Sequence, residues 1–405
     1  MKPIVRAGRM KPVHSDIRGP LFVEAMKRQK QGIDILKLNT GNPATFGFGL
    51  PDSIKNALIE HMQDGVGYCD FKGMPQARQA ICDYETSKGI KGITSDDVFI
   101  GNGVSEVVSF ALTPLLNDGD EVLVPSPSYS LWGNSVYLED GKPVFYTCDE
   151  QANWYPDIQD IRSKITDKTK AIVIINPNNP TGVLYPKELL LEIIQIARES
   201  GLLIFADEIY DRLVMDGKQH ISLASLTEDV PVITLNGLSK SHCLCGYRCG
   251  WMVISGPREL TEDYRQGIIQ LTSLRLCANT MAQIVIPAAL DDMDTPASMV
   301  RPGGRIYEQR EATVRELEKI DGLSFVKNDA AFYVFPKLDV KKFNITNDKQ
   351  FAHDLLDVTN ILLVPGSGFD WKDPDHFRIV MLPQADILSD AIRRMGTFLD
   401  GYKQK

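Results

Sequence analysis

The sequence lacks long hydrophobic segments and an excess of positive charge. Its apolar runs, such as residues 171–175 and 361–364, are far shorter than the roughly 18 residues needed to cross a bilayer. Lys and Arg number 44 against 53 for Asp and Glu, which gives a net charge of −9. Because a negative field repels polyanions, we expect a small-molecule substrate, with no membrane span and no nucleic-acid partner.

Cysteine is sparse and shows no regular spacing. Seven cysteines, an odd number spread along 405 residues, do not resemble the disulfide framework of a secreted protein. The basic first ten residues are not followed by the apolar segment of a secretory signal. We therefore expect reduced thiols and a cytoplasmic protein.

Internal repeats and low-complexity tracts are also absent. The composition, 43% hydrophobic and 24% charged, is typical of a globular protein. A chain of 405 residues should form two or three structural units.

Short runs rich in Val and Ile alternate with helix-period segments, which predicts an α/β fold with a large, mostly parallel sheet. Amphipathic helices are predicted at 105–116 and 187–200, the second with Leu190, Ile193 and Ala197 on one face. The seven predicted strands are residues 98–101, 121–124, 143–146, 171–175, 202–206, 232–235 and 250–254.

The pattern of predicted helices and strands changes near residue 300, where a polar helix at 304–319 precedes short strands at 332–335 and 377–380. This pattern predicts a second, smaller α+β unit. The predicted division is an N-terminal arm with part of the small domain (1–45), a large α/β domain (46–295) and a C-terminal small domain (296–405).

Residues 236–240 (Asn-Gly-Leu-Ser-Lys) bring Lys240 directly after a buried strand. Desolvation there would lower the lysine pKa and make the amine a nucleophile towards carbonyls, whereas an isolated lysine would be a solvated loop residue. Arg248 follows between glycines, a good place for a rigid anion-binding fork. Ser239 and Arg248 could share one phosphate.

Three further strand ends carry polar groups. Asp207 follows a buried strand, and either pairs with a protonated pyridine nitrogen or caps a helix. Asn179 lies in a turn stiffened by two prolines. Residues 101–106 offer an anion site at a helix N-terminus, but Glu106 stands where the dinucleotide fingerprint requires its last glycine.

Four strand-end sites and a lysine able to form an imine point to pyridoxal 5′-phosphate. The chain resembles the class I, fold-type I aminotransferases over nearly its whole length, and most closely their bacterial alanine-forming branch. The segments that carry the resemblance are 16–20, 41–43, 67–70, 101–106, 174–182, 206–211, 236–240, 275–279 and 377–380.

The resemblance implies a role for each residue around the cofactor ring. Lys240 would form the imine and move the proton at the substrate α-carbon, while Asp207 would hold the pyridinium proton. Asn179 and Tyr210 would hydrogen-bond the ring 3′-oxygen, and Tyr129 would stack on the ring.

The resemblance also implies an active homodimer and a substrate clamp. Arg378 would bind the substrate α-carboxylate beside the Gly41 backbone, and Arg18 would meet the distal carboxylate of glutamate. The expected phosphate ligands are Val104, Ser105, Ser239, Arg248 and, from the neighbouring subunit, Tyr68.

The sequence departs from the family in the cysteines after the lysine, Cys243, Cys245 and Cys249. With His242 they raise the possibility of a metal site. Cys243 and Cys245 are only two residues apart and no second C-x-x-C pair exists, so we expect small buried thiols and no metal.

The implied reaction is ping-pong transfer of an amino group between alanine/pyruvate and glutamate/2-oxoglutarate. The sequence leaves open an aminotransferase for valine, 2-aminobutyrate or aromatic amino acids, and a cysteine-conjugate β-lyase on the same fold. A nicotinamide dehydrogenase is disfavoured by the missing glycine fingerprint. A regulator that uses this fold only to bind effectors would carry an N-terminal DNA-binding module. The expected large domain is preceded by only about 45 residues, too few for such a module, so this class is disfavoured.

Overall fold

A computed structural model describes residues 2–405 of the chain, which form fifteen strands and sixteen α-helices. The strands are β1 (Leu36–Lys37), β2 (Val98–Asn102), β3 (Glu121–Ser126), β4 (Lys142–Asp149), β5 (Tyr155–Pro156), β6 (Thr169–Ile175), β7 (Leu203–Asp207), β8 (Val232–Gly237), β9 (Cys249–Ser255), β10 (Leu323–Ser324), β11 (Tyr333–Val334), β12 (Lys337–Leu338), β13 (Ile361–Leu362), β14 (Val364–Pro365) and β15 (Phe377–Val380).

The helices cover the sheet or build the smaller unit. They are α1 (Pro20–Lys30), α2 (Asp52–His61), α3 (Pro75–Ser87), α4 (Val104–Leu112), α5 (Leu131–Leu138), α6 (Ile158–Lys164), α7 (Lys187–Ser200), α8 (Leu238–Ser241), α9 (Arg258–Arg275), α10 (Thr280–Ile284), α11 (Ile286–Asp291), α12 (Asp294–Val300), α13 (Arg305–Leu317), α14 (Val340–Phe343), α15 (Asp348–Thr359) and α16 (Ala385–Asp400).

The central sheet has eight strands in the order β2-β9-β8-β7-β6-β3-β4-β5. Strands β8, β7, β6, β3 and β4 run parallel, and β9 pairs antiparallel with both β2 and β8. All seven predicted strands are present, which confirms the α/β prediction. The eighth strand is β5, which pairs antiparallel with β4 over two residues and is too short to leave a periodic signal.

Two cores pack against opposite faces of this sheet because side chains alternate along each strand. On β6, Ile172 and Ile174 pack on one side, with Leu190 and Ile193 of α7. Val173 faces the other core, which also contains residues of α4, α5 and α9. Both faces are therefore buried, and the strands read as continuous apolar runs.

The C-terminal residues build a smaller layer around a three-stranded antiparallel sheet in the order β11-β15-β14. Strand β1 pairs parallel with β13, so residues near the N-terminus join this layer. Its core gathers side chains of α13, α15 and α16 with Leu38 from the N-terminal segment. Domain boundaries at residues 45 and 295 stay a prediction.

All seven cysteines are free thiols. Within residues 2–405 no single helix is long and apolar enough to cross a membrane. The pair Arg258–Arg275 and Thr280–Asp291, bent by 119°, passes that test jointly on length and composition only.

Candidate active site

A cavity of about 890 Å³ lies at the carboxyl ends of the parallel strands, where β6, β7 and β8 each finish in a polar turn. It brings together twelve of the thirteen residues predicted from the sequence. They are Arg18, Gly41, Val104, Ser105, Tyr129, Asn179, Asp207, Tyr210, Ser239, Lys240, Arg248 and Arg378.

Lys240 lies on the single helical turn α8, directly after β8, and its Nζ donates a hydrogen bond to the Gly41 carbonyl oxygen at 3.0 Å. Burial lowers the pKa of Lys240, but Tyr333 and Cys245 nearby raise it, and the result lies above the ordinary value. Desolvation thus acts in the predicted direction, but the predicted net lowering of this pKa does not occur in the protein alone. The phenol of Tyr333 and the thiol of Cys245 outweigh the burial.

Asp207 ends strand β7 as a buried carboxylate on the floor of the cavity. Trp132 Nε1 donates a hydrogen bond to its Oδ2 at 3.1 Å. Burial raises the pKa of Asp207 to about 6, although the Trp132 hydrogen bond acts in the opposite direction. The residues that follow form turns, so the alternative interpretation of Asp207 as a helix cap is wrong.

Arg378 on β15 presents a fully buried guanidinium group, only 1% exposed. It lies between the rings of Tyr333 and Phe369, with its central carbon 4.6 Å from each ring centre. Nη1 donates to Asn179 Oδ1 at 3.0 Å and Nη2 donates to the Asn39 carbonyl oxygen. No carboxylate among residues 2–405 pairs with it, and burial lowers its pKa.

The hydrogen bond from Arg378 determines which polar atoms of the Asn179 side chain remain free to bind a ligand. Because the Asn179 amide oxygen accepts from Arg378, its NH₂ group is left to donate into the cavity. Tyr210 lines the same cavity, and its hydroxyl shares a hydrogen bond of 2.9 Å with the Tyr333 hydroxyl.

An anion site lies where α4 begins. Arg248 Nη2 donates to Ser105 Oγ at 3.1 Å, and Arg248 Nη1 donates to the Cys245 carbonyl oxygen at 2.9 Å. Gly103 has φ +85°, and a Cβ there would lie 2.2 Å from Arg248 Nη2. Only glycine therefore admits the guanidinium group against the N-terminal turn of α4, where Val104 begins the helix.

The other predicted residues vary in exposure. Arg18 lines the cavity on the N-terminal arm and forms no ion pair with any residue from 2 to 405. Tyr129 is 38% exposed at the cavity wall. Tyr68 is 82% exposed and does not line the cavity of its own chain.

The three cysteines near Lys240 have different surroundings. Cys245 lines the cavity, and its Sγ donates to the Ser239 carbonyl oxygen at 2.9 Å. Cys243 and Cys249 face apolar packing, where burial raises the pKa of each thiol to about 12.

Sequence reasoning missed three residues that shape the site, namely Trp132, Tyr333 and Asn39. Each acts through a partner more than 70 positions away: Trp132 on Asp207, Tyr333 on Tyr210, and the Asn39 carbonyl on Arg378. Tyr333 lies in the short predicted strand at 332–335, but nothing local showed that it faces Tyr210. No periodicity or turn motif marks such long-range contacts.

The profile of the family described as "Aminotransferase class I and II" matches residues 33–392. The chain belongs to the class I and II aminotransferases. This aminotransferase is 50% identical over 404 residues to the glutamate-pyruvate aminotransferase AlaA of Haemophilus influenzae, with 100% of both chains covered.

Solved structures agree with the family. An aminotransferase from Escherichia coli has a TM-score of 0.98 at 47% identity, with 100% of both chains covered. The alanine aminotransferase of Pyrococcus furiosus has a TM-score of 0.92 at 41% identity, covering 98% of this chain and 100% of its own. Aminotransferases of this family use pyridoxal 5′-phosphate and act on amino acids and 2-oxo acids.

Proposed function

We propose that this aminotransferase moves an amino group between alanine/pyruvate and glutamate/2-oxoglutarate, with pyridoxal 5′-phosphate held in the cavity at the strand ends. The observation that carries the proposal is the shared cavity of Lys240, Asp207, Arg248 and Arg378. These four residues supply one amine, one buried carboxylate and two guanidinium groups. The names of full-length relatives, glutamate-pyruvate aminotransferase and alanine aminotransferase, support the substrate pair.

The donor set fits a phosphorylated pyridine aldehyde. Asp207 offers a buried carboxylate that a protonated ring nitrogen would stabilise in its ionised form. Arg248, Ser105 and Ser239, with the backbone amides at Val104, offer hydrogen-bond donors suited to a phosphate dianion. The glycine at 103 leaves room for this arrangement.

When bound, pyridoxal 5′-phosphate supplies an aldehyde that condenses with amines and a ring that withdraws electrons from the substrate α-carbon. Lys240 would move the proton at that α-carbon, and Asp207 would keep a proton on the ring nitrogen. The Asn179 amide and the Tyr210 hydroxyl would donate hydrogen bonds to the ring oxygen, and Tyr129 would stack on the ring.

The substrate is held by its carboxylates. Arg378 offers two N–H groups on a rigid planar fork, and the Gly41 backbone lies beside it at the cavity wall. Arg18 reaches the same cavity from the N-terminal arm and carries an unpaired positive charge there. We propose that it binds the second carboxylate of glutamate and 2-oxoglutarate, which alanine and pyruvate do not have.

The half-reaction provides the test of this function. L-alanine or L-glutamate, added to the holoenzyme without a keto acid, should convert its visible absorption band to the near-ultraviolet band of the aminated cofactor. Pyruvate or 2-oxoglutarate should then restore the visible band. L-valine, L-2-aminobutyrate and L-phenylalanine should react at least about tenfold more slowly, since a pocket discriminates side chains by steric fit.

Other outcomes would assign a different activity. A band that alanine leaves unchanged, but valine or phenylalanine converts, would contradict the alanine assignment. Release of ammonia and pyruvate from a cysteine conjugate without any keto acid would identify the β-lyase.

Tyr68 motivates a homodimer in which each subunit completes the site of the other. Its segment is tied to α10 by the Thr280 hydroxyl, which donates to the Gly65 carbonyl oxygen at 2.7 Å. Large apolar side chains exposed on this segment, on α2 and at the end of α9 favour a protein partner. They are Ile59, Met62, Val66, Leu274 and Leu276.

Hybrid dimers test whether Tyr68 acts across the interface. Tyr68→Ala alone should weaken cofactor binding about 10- to 100-fold, the effect of losing a hydrogen bond to a charged group. Lys240→Ala alone should be inactive. A hybrid of the two variants contains one site with Lys240 and Tyr68 both intact, so mixing and refolding them should restore up to half of the activity per hybrid dimer.

In the hybrid, Lys240 comes from one subunit and Tyr68 from the other. An intact site can therefore form only if Tyr68 enters the site of its partner subunit. A hybrid that sediments as a dimer but whose active site binds the cofactor only as weakly as the Tyr68→Ala homodimer would overturn the shared site. The free state of all seven cysteines supports a reducing compartment, which we propose is the cytoplasm.

A further inference from the structure

A cluster of buried charges lies behind the active site, on the side of turn 207–211 away from the cavity. Lys88, at the end of α3, has a side chain only 13% exposed. Its Nζ lies 2.8 Å from Glu85, 2.7 Å from Glu208 and 3.1 Å from Asp211. None of these four residues lines the cavity.

The cluster binds the two segments that carry the catalytic groups. Glu208 directly follows Asp207, and its Oε1 accepts hydrogen bonds from Ser222 Oγ at 2.9 Å and the Leu223 amide at 3.0 Å. Asp211 directly follows Tyr210, and it accepts from Asn236 Nδ2 at 2.7 Å. Asn236 lies at the end of β8, four residues before Lys240.

The cluster contains more carboxylates than ammonium groups. One ammonium group faces three carboxylates that are each at most 2% exposed. Burial raises the pKa of Asp211, but Lys88, His220, Tyr84 and Arg212 together more than offset this and the pKa is lowered. The other titratable or charged groups that face the cluster are Tyr84, Arg212 and His220.

A role in metal binding does not fit these residues. Glu208, Asp211 and His220 are close enough to share an ion, but the ammonium group of Lys88 already contacts both carboxylates. The cluster therefore carries its own cation, and that cation is covalently part of α3.

We propose that Lys88 is a positioning residue of the aminotransferase, which holds turn 207–211 and the Asn236 end of β8 and balances the buried charge behind Asp207. Without this ammonium group, two or three carboxylates would face one another in a buried space. The turn would then shift, and the negative potential at the cavity floor would rise. This inference rests on the proposed cofactor and reaction.

The test uses the pH midpoint at which the visible band of the bound cofactor loses its proton. A group that is cationic when protonated keeps its proton to higher pH in more negative surroundings. Lys88→Met removes a positive charge and should raise the midpoint, whereas Glu208→Gln removes a negative charge and should lower it. We expect shifts of about half a pH unit or more, in opposite directions.

Three further measurements separate positioning from a general loss of stability. Lys88→Met should lower kcat about tenfold and weaken cofactor binding to the apoenzyme by a similar factor, because Asp207 and Tyr210 are no longer held. KM for alanine should change less than about twofold, since Arg378 is untouched. Lys88→Arg should recover most of kcat, and the exposed lysine variant Lys91→Met should match the wild type.

Each result decides the proposal. If Lys88→Met and Glu208→Gln only lower the melting temperature, while both midpoints and kcat stay at the wild-type values, Lys88 is structural and the proposal is overturned. If Lys88→Met does not fold, the Glu208→Gln variant is sufficient by itself: an unchanged pH midpoint in that variant overturns the proposal. Failure of the proposed reaction is distinguishable, because the wild type would then not respond to alanine.

Discussion

Replacement of Lys240 by alanine is expected to lower turnover at least about 10⁴-fold. The variant loses the only amine among residues 2–405 that lines the cavity, and with it both the proposed nucleophile for the cofactor aldehyde and the group proposed to move the α-carbon proton. Cofactor binding should persist more weakly, because Asp207 and Arg248 are unchanged. Steady-state kinetics and equilibrium dialysis measure the two effects separately.

The position of the covalent bond can be located directly. After borohydride reduction, the wild-type peptide that contains Lys240 should gain the mass of the reduced cofactor, and the Lys240→Ala protein should show no labelled lysine. Lys240→Arg keeps a positive charge but cannot lose its proton near neutral pH, so it should be as inactive as the alanine variant. Lys91→Ala is the matched control, since Lys91 is exposed and pairs with Glu228. A label on any other lysine in the wild type would reject Lys240 as the nucleophile.

Replacement of Arg378 by alanine is expected to lower kcat/KM about 100- to 1,000-fold for every amino donor and every keto acid, mainly through KM. The guanidinium group is fully desolvated, so an anion bound to it gains a strong charge-assisted pair. Every substrate of the reaction carries the α-carboxylate, and alanine and glutamate should therefore lose affinity together. Initial-rate kinetics with both donors measure the change.

Two variants separate this effect from damage to the fold. Arg378→Lys keeps the charge but loses the planar fork, so it should fall between the alanine variant and the wild type. Arg315→Ala removes an exposed arginine, 60% accessible, and should leave the kinetics unchanged. Arg378→Ala leaves a cavity between Tyr333 and Phe369, which should lower the stability of the fold. The melting temperature measures this loss separately from the kinetics. An unchanged KM for all donors would remove Arg378 from the carboxylate site.

Arg18 gives a contrast within the same cavity. It is exposed and unpaired on the N-terminal arm, whereas Arg378 is enclosed by two rings and two hydrogen bonds. A preorganised guanidinium group loses little entropy on binding, but a mobile one must first be ordered. We therefore expect the loss of Arg378 to weaken substrate binding more than the loss of Arg18.

Much of the large domain could be predicted because its signals are local. Helix α7 was predicted at its observed bounds, Lys187–Ser200, since its apolar positions follow the helical period and Gly201 ends it in a left-handed conformation. Helix α4 begins at Val104 and ends at Leu112, earlier than the predicted residue 116, because the chain turns at 113–115. Strand β5, with two residues, is too short to predict.

The positions of Asp207 and Lys240 followed from sequence for a related reason. Each lies just after an apolar run, and parallel strands place their carboxyl ends at one edge of the sheet. The resemblance to the aminotransferases added the role of each residue, which strand positions alone do not provide.

By itself, the sequence determined the class of fold, the strand ends that would meet and the residue types available there. These depend on period, turn chemistry and strand direction, which act over a few residues. The tertiary structure alone decided that Trp132 binds Asp207, that Asn179 and the Asn39 carbonyl orient Arg378, and that Lys88 lies behind the active-site turn. It also decided that the pKa of Lys240 is raised, because that direction depends on groups that other segments bring within reach.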